Sequence, residues 1–161
     1  MSNYKNDYLE YSVDADGVAT ILVNQVNEPA NLYSHQFIMA YTEAGRKVLE
    51  DDQVKGAIVT SARRMFMAGG DLRMLSEPVT DPKVFFDGMM EIHRSVRAIE
   101  TGGKPLVAAI NGVALGGGLE LALTCHHRIA INHPSVKIGL VEAKAWMYAL
   151  HRVEHCLTGP K

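Results

Sequence analysis

Period-two alternation and β-branched residues over Val18-Ala19-Thr20-Ile21-Leu22-Val23 predict a strand. The polar turn Asp14-Ala15-Asp16-Gly17 before it predicts a hairpin whose other arm runs from Tyr8 to Val13, and Asn27-Glu28-Pro29 closes the unit. From Ser34 the period changes. Phe37, Ile38, Tyr41, Ala44, Val48 and Leu49 recur every three or four positions, one face of a helix with Ser34 as its N-cap and an end near Asp51. Two continuous apolar runs, Gly56 to Thr60 and Leu106 to Ile110 behind Lys104-Pro105, carry the signature of strands covered on both faces, and Arg128-Ile129-Ala130-Ile131 is a third run. A helix is expected from Pro82 to Ile99, and Gly116-Gly117-Gly118 opens another. The order of strands and helices predicts an α/β chain with at least one parallel crossover. No internal repeat or low-complexity segment is visible. Near the C-terminus Trp146, Leu150, Val153 and Leu157 share one helical face, which predicts an amphipathic helix packing on the core or on a neighbouring subunit.

The length, 161 residues, fits a single domain, and 47% apolar residues suffice for one core. A net charge of -2, with basic residues scattered among acidic ones, argues against a nucleic-acid or membrane-surface partner. The polar start Met1-Ser2-Asn3-Tyr4-Lys5 is unlike a signal peptide, and no apolar stretch is long enough to span a bilayer, so a cytoplasmic, soluble protein is expected. Cys125 and Cys156 are too few for a disulfide framework; both are expected as free thiols, with Cys125 in the core. Adjacent His126 and His127 on a strand point to opposite faces, a poor geometry for one metal ion, and no metal is expected.

Chemistry concentrates in two glycine-rich segments, each following a predicted buried strand: Phe66-Met67-Ala68-Gly69-Gly70-Asp71 and Asn111-Gly112-Val113-Ala114-Leu115-Gly116-Gly117-Gly118-Leu119-Glu120. Glycine lets backbone approach a ligand without a Cβ in the way. A helix opened by three glycines leaves N–H groups free at its positive end, suited to a phosphate or to a carbonyl oxygen gaining charge. Either segment alone reads first as a tight turn with close helix–strand packing. Glu120, in the first turn, reads alone as a partner of the helix dipole. The glycine spacing is not G-x-G-x-x-G, and no lysine followed by serine or threonine completes a P-loop, so NAD and ATP sites are not expected.

The two segments together, Phe66-x-Ala-Gly-Gly-Asp71 and Ala109-Ile110-Asn111-Gly112-x-Ala-x-Gly-Gly-Gly-x-Glu120, resemble the paired oxyanion-hole motifs of the enoyl-CoA hydratase (crotonase) superfamily. Thr124-Cys125-His126-His127-Arg128-Ile129-Ala130 and Lys137-Ile138-Gly139-Leu140-Val141-Glu142 resemble the hydratase region of multifunctional fatty-acid oxidation proteins, in which a 3-hydroxyacyl-CoA dehydrogenase follows. The resemblance runs from about Gly17 to Glu142 and implies a crotonase-like ββα spiral over residues 1–161, truncated at its C-terminal part. It implies that the backbone N–H groups of Gly70 and Gly117 form the oxyanion hole and that Glu120 and Glu142 are the catalytic acid–base pair. Met67 and Ala68 then lie beside the thioester, Leu72 begins the acyl pocket, and Gly69, Asp71 and Gly116 complete the substrate contacts. The implied substrate is an acyl-CoA thioester, with coenzyme A as part of the substrate and no separate cofactor. The implied assembly is a homo-oligomer, trimer or hexamer, or part of a multifunctional oxidation complex.

Two departures from the family pattern qualify what the resemblance implies. After Glu142 the family continues with a leucine-proline step and several glycines, whereas this chain reads Ala143-Lys144-Ala145-Trp146-Met147-Tyr148. A domain fragment, a truncated product and a reading frame that diverges near residue 143 all account for that. Many members also carry a basic residue before the asparagine matching Asn31, where it meets the CoA phosphates; here it is Ala30. The expected reaction is hydration of a 2-enoyl-CoA in fatty-acid β-oxidation, with Δ3,Δ2-enoyl-CoA isomerisation as a second activity. Its rivals are an acyl-CoA-binding fragment without turnover, and another reaction on the same scaffold, such as decarboxylation, dehalogenation or thioester hydrolysis.

Overall fold

The computed structural model describes residues 3–73 and 80–141. Its hairpin follows the alternation in the sequence: β2 (Leu9–Val13) pairs antiparallel with β3 (Val18–Val23), Leu9 opposite Val23 and Val13 opposite Ala19. The turn is closed by the Asp14 carboxylate, which accepts from the N–H groups of Asp16 at 3.0 Å and Val18 at 2.8 Å, while Gly17 takes a φ of 82° that disfavours a side chain. A short strand, β1 (Tyr4–Lys5), extends the hairpin on the far side of β2. Helix α1 (His35–Glu50) starts where Ser34 Oγ accepts the Phe37 N–H, and it buries Phe37, Ile38, Tyr41, Ala44 and Val48 against the sheet.

The remaining elements are β4 (Gly56–Ser61), α2 (Pro82–Glu100), β5 (Leu106–Ile110), β6 (Ala114–Leu115), α3 (Gly117–Leu123), β7 (His127–Ala130) and β8 (Ile138–Gly139). The main sheet has the order β1-β2-β3-β4-β5-β7, parallel from β3 onward. Its buried strands are short apolar runs, as expected where helices or a second layer cover both faces.

A second, smaller layer is formed by the segments that follow these strands. After β3 the chain forms a bridge at Tyr33; after β4 it forms bridges at Met67 and Gly70; after β5 comes β6, and after β7 comes β8. These segments pair in parallel in the same order: Tyr33 with Gly70, Met67 with Ala114, and β6 with β8. Helices α1, α2 and α3 follow the first three. The chain therefore repeats strand, short second strand, helix, which is the ββα spiral implied by the resemblance, although no sequence repeat betrays it. Two-residue strands are too short to show a period, so β1, β6 and β8 were invisible to pattern reading.

The third apolar run differs from its expected burial. β7 forms, but among the described residues it is an edge strand paired only with β5, and all four of its residues are exposed, Ile129 at 66%. Ile131, Ile138 and Val141 are exposed beside it. Cys125 is buried as expected, and desolvation pushes its thiol up to about 12, so it stays protonated at neutral pH. Cys156 and the apolar face at 146, 150, 153 and 157 lie outside the described residues. Among the described residues no helix is long and apolar enough to cross a membrane, and no three His, Cys, Asp or Glu side chains gather as metal ligands.

Two contacts lock the helices. Gly45 lets α1 approach Ile99 of α2, whose Cδ1 would lie 2.3 Å from any added Cβ. Lys104 Nζ, half-buried, donates to the Val48 and Asp51 carbonyls at 2.9 and 2.6 Å and satisfies the C-terminal end of α1. Lys104→Met removes both bonds and leaves two carbonyls poorly paired. Urea denaturation of the variant is expected to read a loss of about 1.5–3 kcal/mol, the usual contribution of a hydrogen bond from a charged donor.

Candidate active site

The parallel pairing of the small layer determines where the two glycine segments lie. The Tyr33 N–H donates to the Gly69 carbonyl at 2.7 Å and the Asp71 N–H donates to the Tyr33 carbonyl at 3.2 Å. In a parallel bridge the intervening residue turns its own peptide groups away, so the Gly70 N–H faces away from Tyr33. On the other side of the loop the Met67 N–H donates to the Val113 carbonyl at 3.0 Å, and the Leu115 N–H donates to the Met67 carbonyl at 3.2 Å. The two motifs, far apart in sequence, are thus adjacent strands.

This closeness needs glycine at defined places. Gly69 has a φ of 125° and faces the Leu115 carbonyl, which would stand 3.3 Å from an added Cβ. Gly116, at φ 48°, turns the chain from β6 into α3 while its N–H donates to the Gly139 carbonyl at 2.9 Å. A Cβ on Gly117 would meet Tyr33 Cβ at 2.7 Å, and one on Gly118 would meet Met67 Cβ and O, both at 2.7 Å. Gly117, Gly118 and Leu119 begin the first turn of α3, and their N–H groups have no carbonyl of their own helix to meet; the first intrahelical bond runs from the Glu120 N–H to the Gly116 carbonyl.

Glu120 lies in that first turn, 1% exposed. Its neighbour Tyr33 is buried too, and burial, reinforced by the Glu120 charge, raises the Tyr33 phenol well above the usual tyrosine range. Met67 is fully buried. Ala68, half-buried, donates its N–H to the Asn31 carbonyl at 2.9 Å. Asp71 is engaged by Arg73, which holds its carboxyl below the usual range and also pairs with Glu28 at 2.7 Å. Leu72 is 69% exposed. Of the ten residues singled out from the sequence, the structure thus brings Met67, Ala68, Gly69, Gly70, Gly116, Gly117 and Glu120 together, with Asp71 and Leu72 at the rim. Glu142 lies outside the described residues.

Sequence reasoning missed Asn31 and Tyr33 as parts of this arrangement. Asn31 entered only as the neighbour of Ala30. Its signal was a polar residue between a strand and a capped helix, which a surface turn would produce equally.

The comparisons with known proteins follow the same outline. The family model described as "Enoyl-CoA hydratase/isomerase" matches residues 15–157. The chain belongs to that family. The peroxisomal bifunctional enzyme of Danio rerio is 37% identical over 121 residues, 75% of this chain and 16% of that protein. The fatty acid oxidation complex subunit alpha of Acinetobacter baumannii is 32% identical over 135 residues, 83% of this chain and 18% of that protein. The chain therefore spans under a fifth of the length of these curated relatives. Among solved structures, an enoyl-CoA hydratase from Geobacillus kaustophilus superposes with a TM-score of 0.84 at 26% identity, covering 98% of this chain and 58% of that one. One from Bacillus anthracis gives 0.79 at 26% identity, covering 94% and 57%.

Family membership and the glycine contacts give a direct test of the packing. Gly118→Ala forces a Cβ onto the backbone of Met67, and no side-chain rotation relieves it. Thermal unfolding is expected to show destabilisation of at least the ~1–3 kcal/mol typical of overpacking.

Proposed function

We propose that this chain carries the hydratase site of fatty-acid β-oxidation: it binds a 2-enoyl-CoA and adds water across its double bond. The observation that carries the reading is the pairing of the two glycine segments as adjacent parallel strands, with Glu120 buried one turn beyond Gly117.

In this reading the Gly70 and Gly117 N–H groups take the thioester oxygen between them. As the water oxygen attacks the β-carbon, electron density moves through the double bond onto that oxygen, where fixed donors stabilise it. One such donor contributes about 2.7–4 kcal/mol in comparable acyl chemistry. One carboxylate accepts a proton from the attacking water and one supplies the proton that ends on the α-carbon, roles assigned to Glu120 and Glu142. Hydration leaves the overall oxidation level unchanged, so no redox cofactor enters; coenzyme A is the handle of the substrate. The same pair would serve Δ3,Δ2-isomerisation, with Glu142 moving a proton between carbons 2 and 4. Association with further copies, or with a multifunctional oxidation protein, belongs to the same reading and draws on the exposed Ile129, Ile131, Ile138 and Val141.

Hydration of crotonyl-CoA by the full chain should be seen as loss of the conjugated thioester absorbance. Glu120→Gln keeps the shape and removes the proton-transfer group, and is expected to lower kcat by ~10²–10⁴-fold. An unchanged rate in that variant, or tight acyl-CoA binding with no turnover in the parent, rules the hydratase reading out. Sedimentation velocity is expected to find the chain in a species heavier than a monomer.

A further inference from the structure

A buried polar side chain persists where its hydrogen bonds are made, and the groups it bonds show what it holds in place. Asn31 is 0% exposed. Its Oδ1 accepts the Gln25 N–H at 3.1 Å, and its Nδ2 donates to Ser61 Oγ at 2.8 Å and to the Phe66 carbonyl at 3.1 Å, with the Val23 carbonyl at 3.4 Å. Its own carbonyl accepts the Ala68 N–H at 2.9 Å. Asn31 thus grips the first glycine segment on both sides of Met67, and two residues later Tyr33 grips it on both sides of Gly70.

The grip is anchored from behind. Ser61 Oγ donates to the Met65 carbonyl at 2.8 Å and accepts the Arg63 N–H at 3.0 Å; Asn111, at the head of the second glycine segment, donates to the Ser61 and Arg63 carbonyls, both at 2.9 Å. The loop between β4 and Gly70 is therefore fastened to the end of β3 and to the end of β5. Only a carboxamide offers an acceptor for Gln25 together with two N–H groups for the acceptors around it; a carboxylate would face carbonyl oxygens, and an aliphatic chain would leave them without a partner.

We propose that Asn31 is a positioning residue that sets the direction of the Gly70 N–H toward the substrate thioester. This rests on the oxyanion role given to Gly70 above. Asn31 touches no substrate in this proposal; it acts through Phe66 and Ala68.

The experiment measures the infrared band of the thioester carbonyl in ¹³C-labelled butyryl-CoA, an unreactive saturated probe, bound to the full chain, alongside kcat and KM for crotonyl-CoA. Hydrogen bonds from two fixed donors lower that band relative to the free probe. Asn31→Ala is expected to return the band toward its free position and to lower kcat by about 10²-fold, the cost of a misplaced catalytic group, with little change in KM. Ser61→Ala, which removes one acceptor of the Asn31 amide, is expected to move the band the same way by less, and it decides the matter if Asn31→Ala shows no cooperative melt. A folded variant whose band stays at the parent position overturns the proposal even if its kcat falls. A lowered band in a parent that does not hydrate crotonyl-CoA sinks the hydratase reading but leaves this proposal to be judged on the band, whereas an unshifted band in the parent removes both.

Discussion

The organisation of this chain depends on how closely backbones can approach within the small parallel layer. Met67 to Gly70 runs between the 31–33 segment and the 113–115 segment, bonded to both. At that separation a Cβ on Gly117 or Gly118 would collide with Tyr33 or Met67. The glycines are therefore needed for packing before any chemistry is considered. The same packing turns the Gly70 N–H away from Tyr33 and opens α3 with amides that have no carbonyl of their own helix to meet, so one steric requirement creates both the layer and its unspent polarity.

Most of this arrangement could be read from the residues, but unevenly. Helix α1 was readable because six apolar positions and a serine cap agree, and β4 and β5 because continuous apolar runs bounded by polar residues mark covered strands. The glycine segments stood out as chemistry only as a pair, since each alone describes a turn. The small layer was hidden because bridges at Tyr33, Met67 and Gly70 have no period to detect. Asn31 was hidden for a different reason: a polar residue after a strand is normally exposed, and only long-range bonds to residues such as Ser61 and Phe66 reveal it as buried. The exposure of β7 was unreadable because burial of a strand depends on what lies beside it, and Arg128-Ile129-Ala130-Ile131 says nothing of its neighbours.

The electrostatic surroundings of Glu120 follow from the same packing. Tyr33 is close enough to feel the carboxylate's charge, and burial keeps its phenol neutral. Charged groups near the segments, such as Arg73 with Asp71 and Glu28, satisfy one another at the rim. A buried carboxylate in such surroundings sits in a low dielectric, a setting in which the effect of a fixed dipole or a single proton is large.

The connection from Asp71 to Lys104 also leaves and re-enters the fold at neighbouring strands, β4 and β5, which are paired directly. Within it α2 packs on α1 where Gly45 leaves room for Ile99, so the detour is tied to the first helix as well as to the β4–β5 ladder. A detour whose ends are already brought together by direct pairing costs little entropy to close, which is how a helix of nineteen residues can be inserted between two adjacent strands.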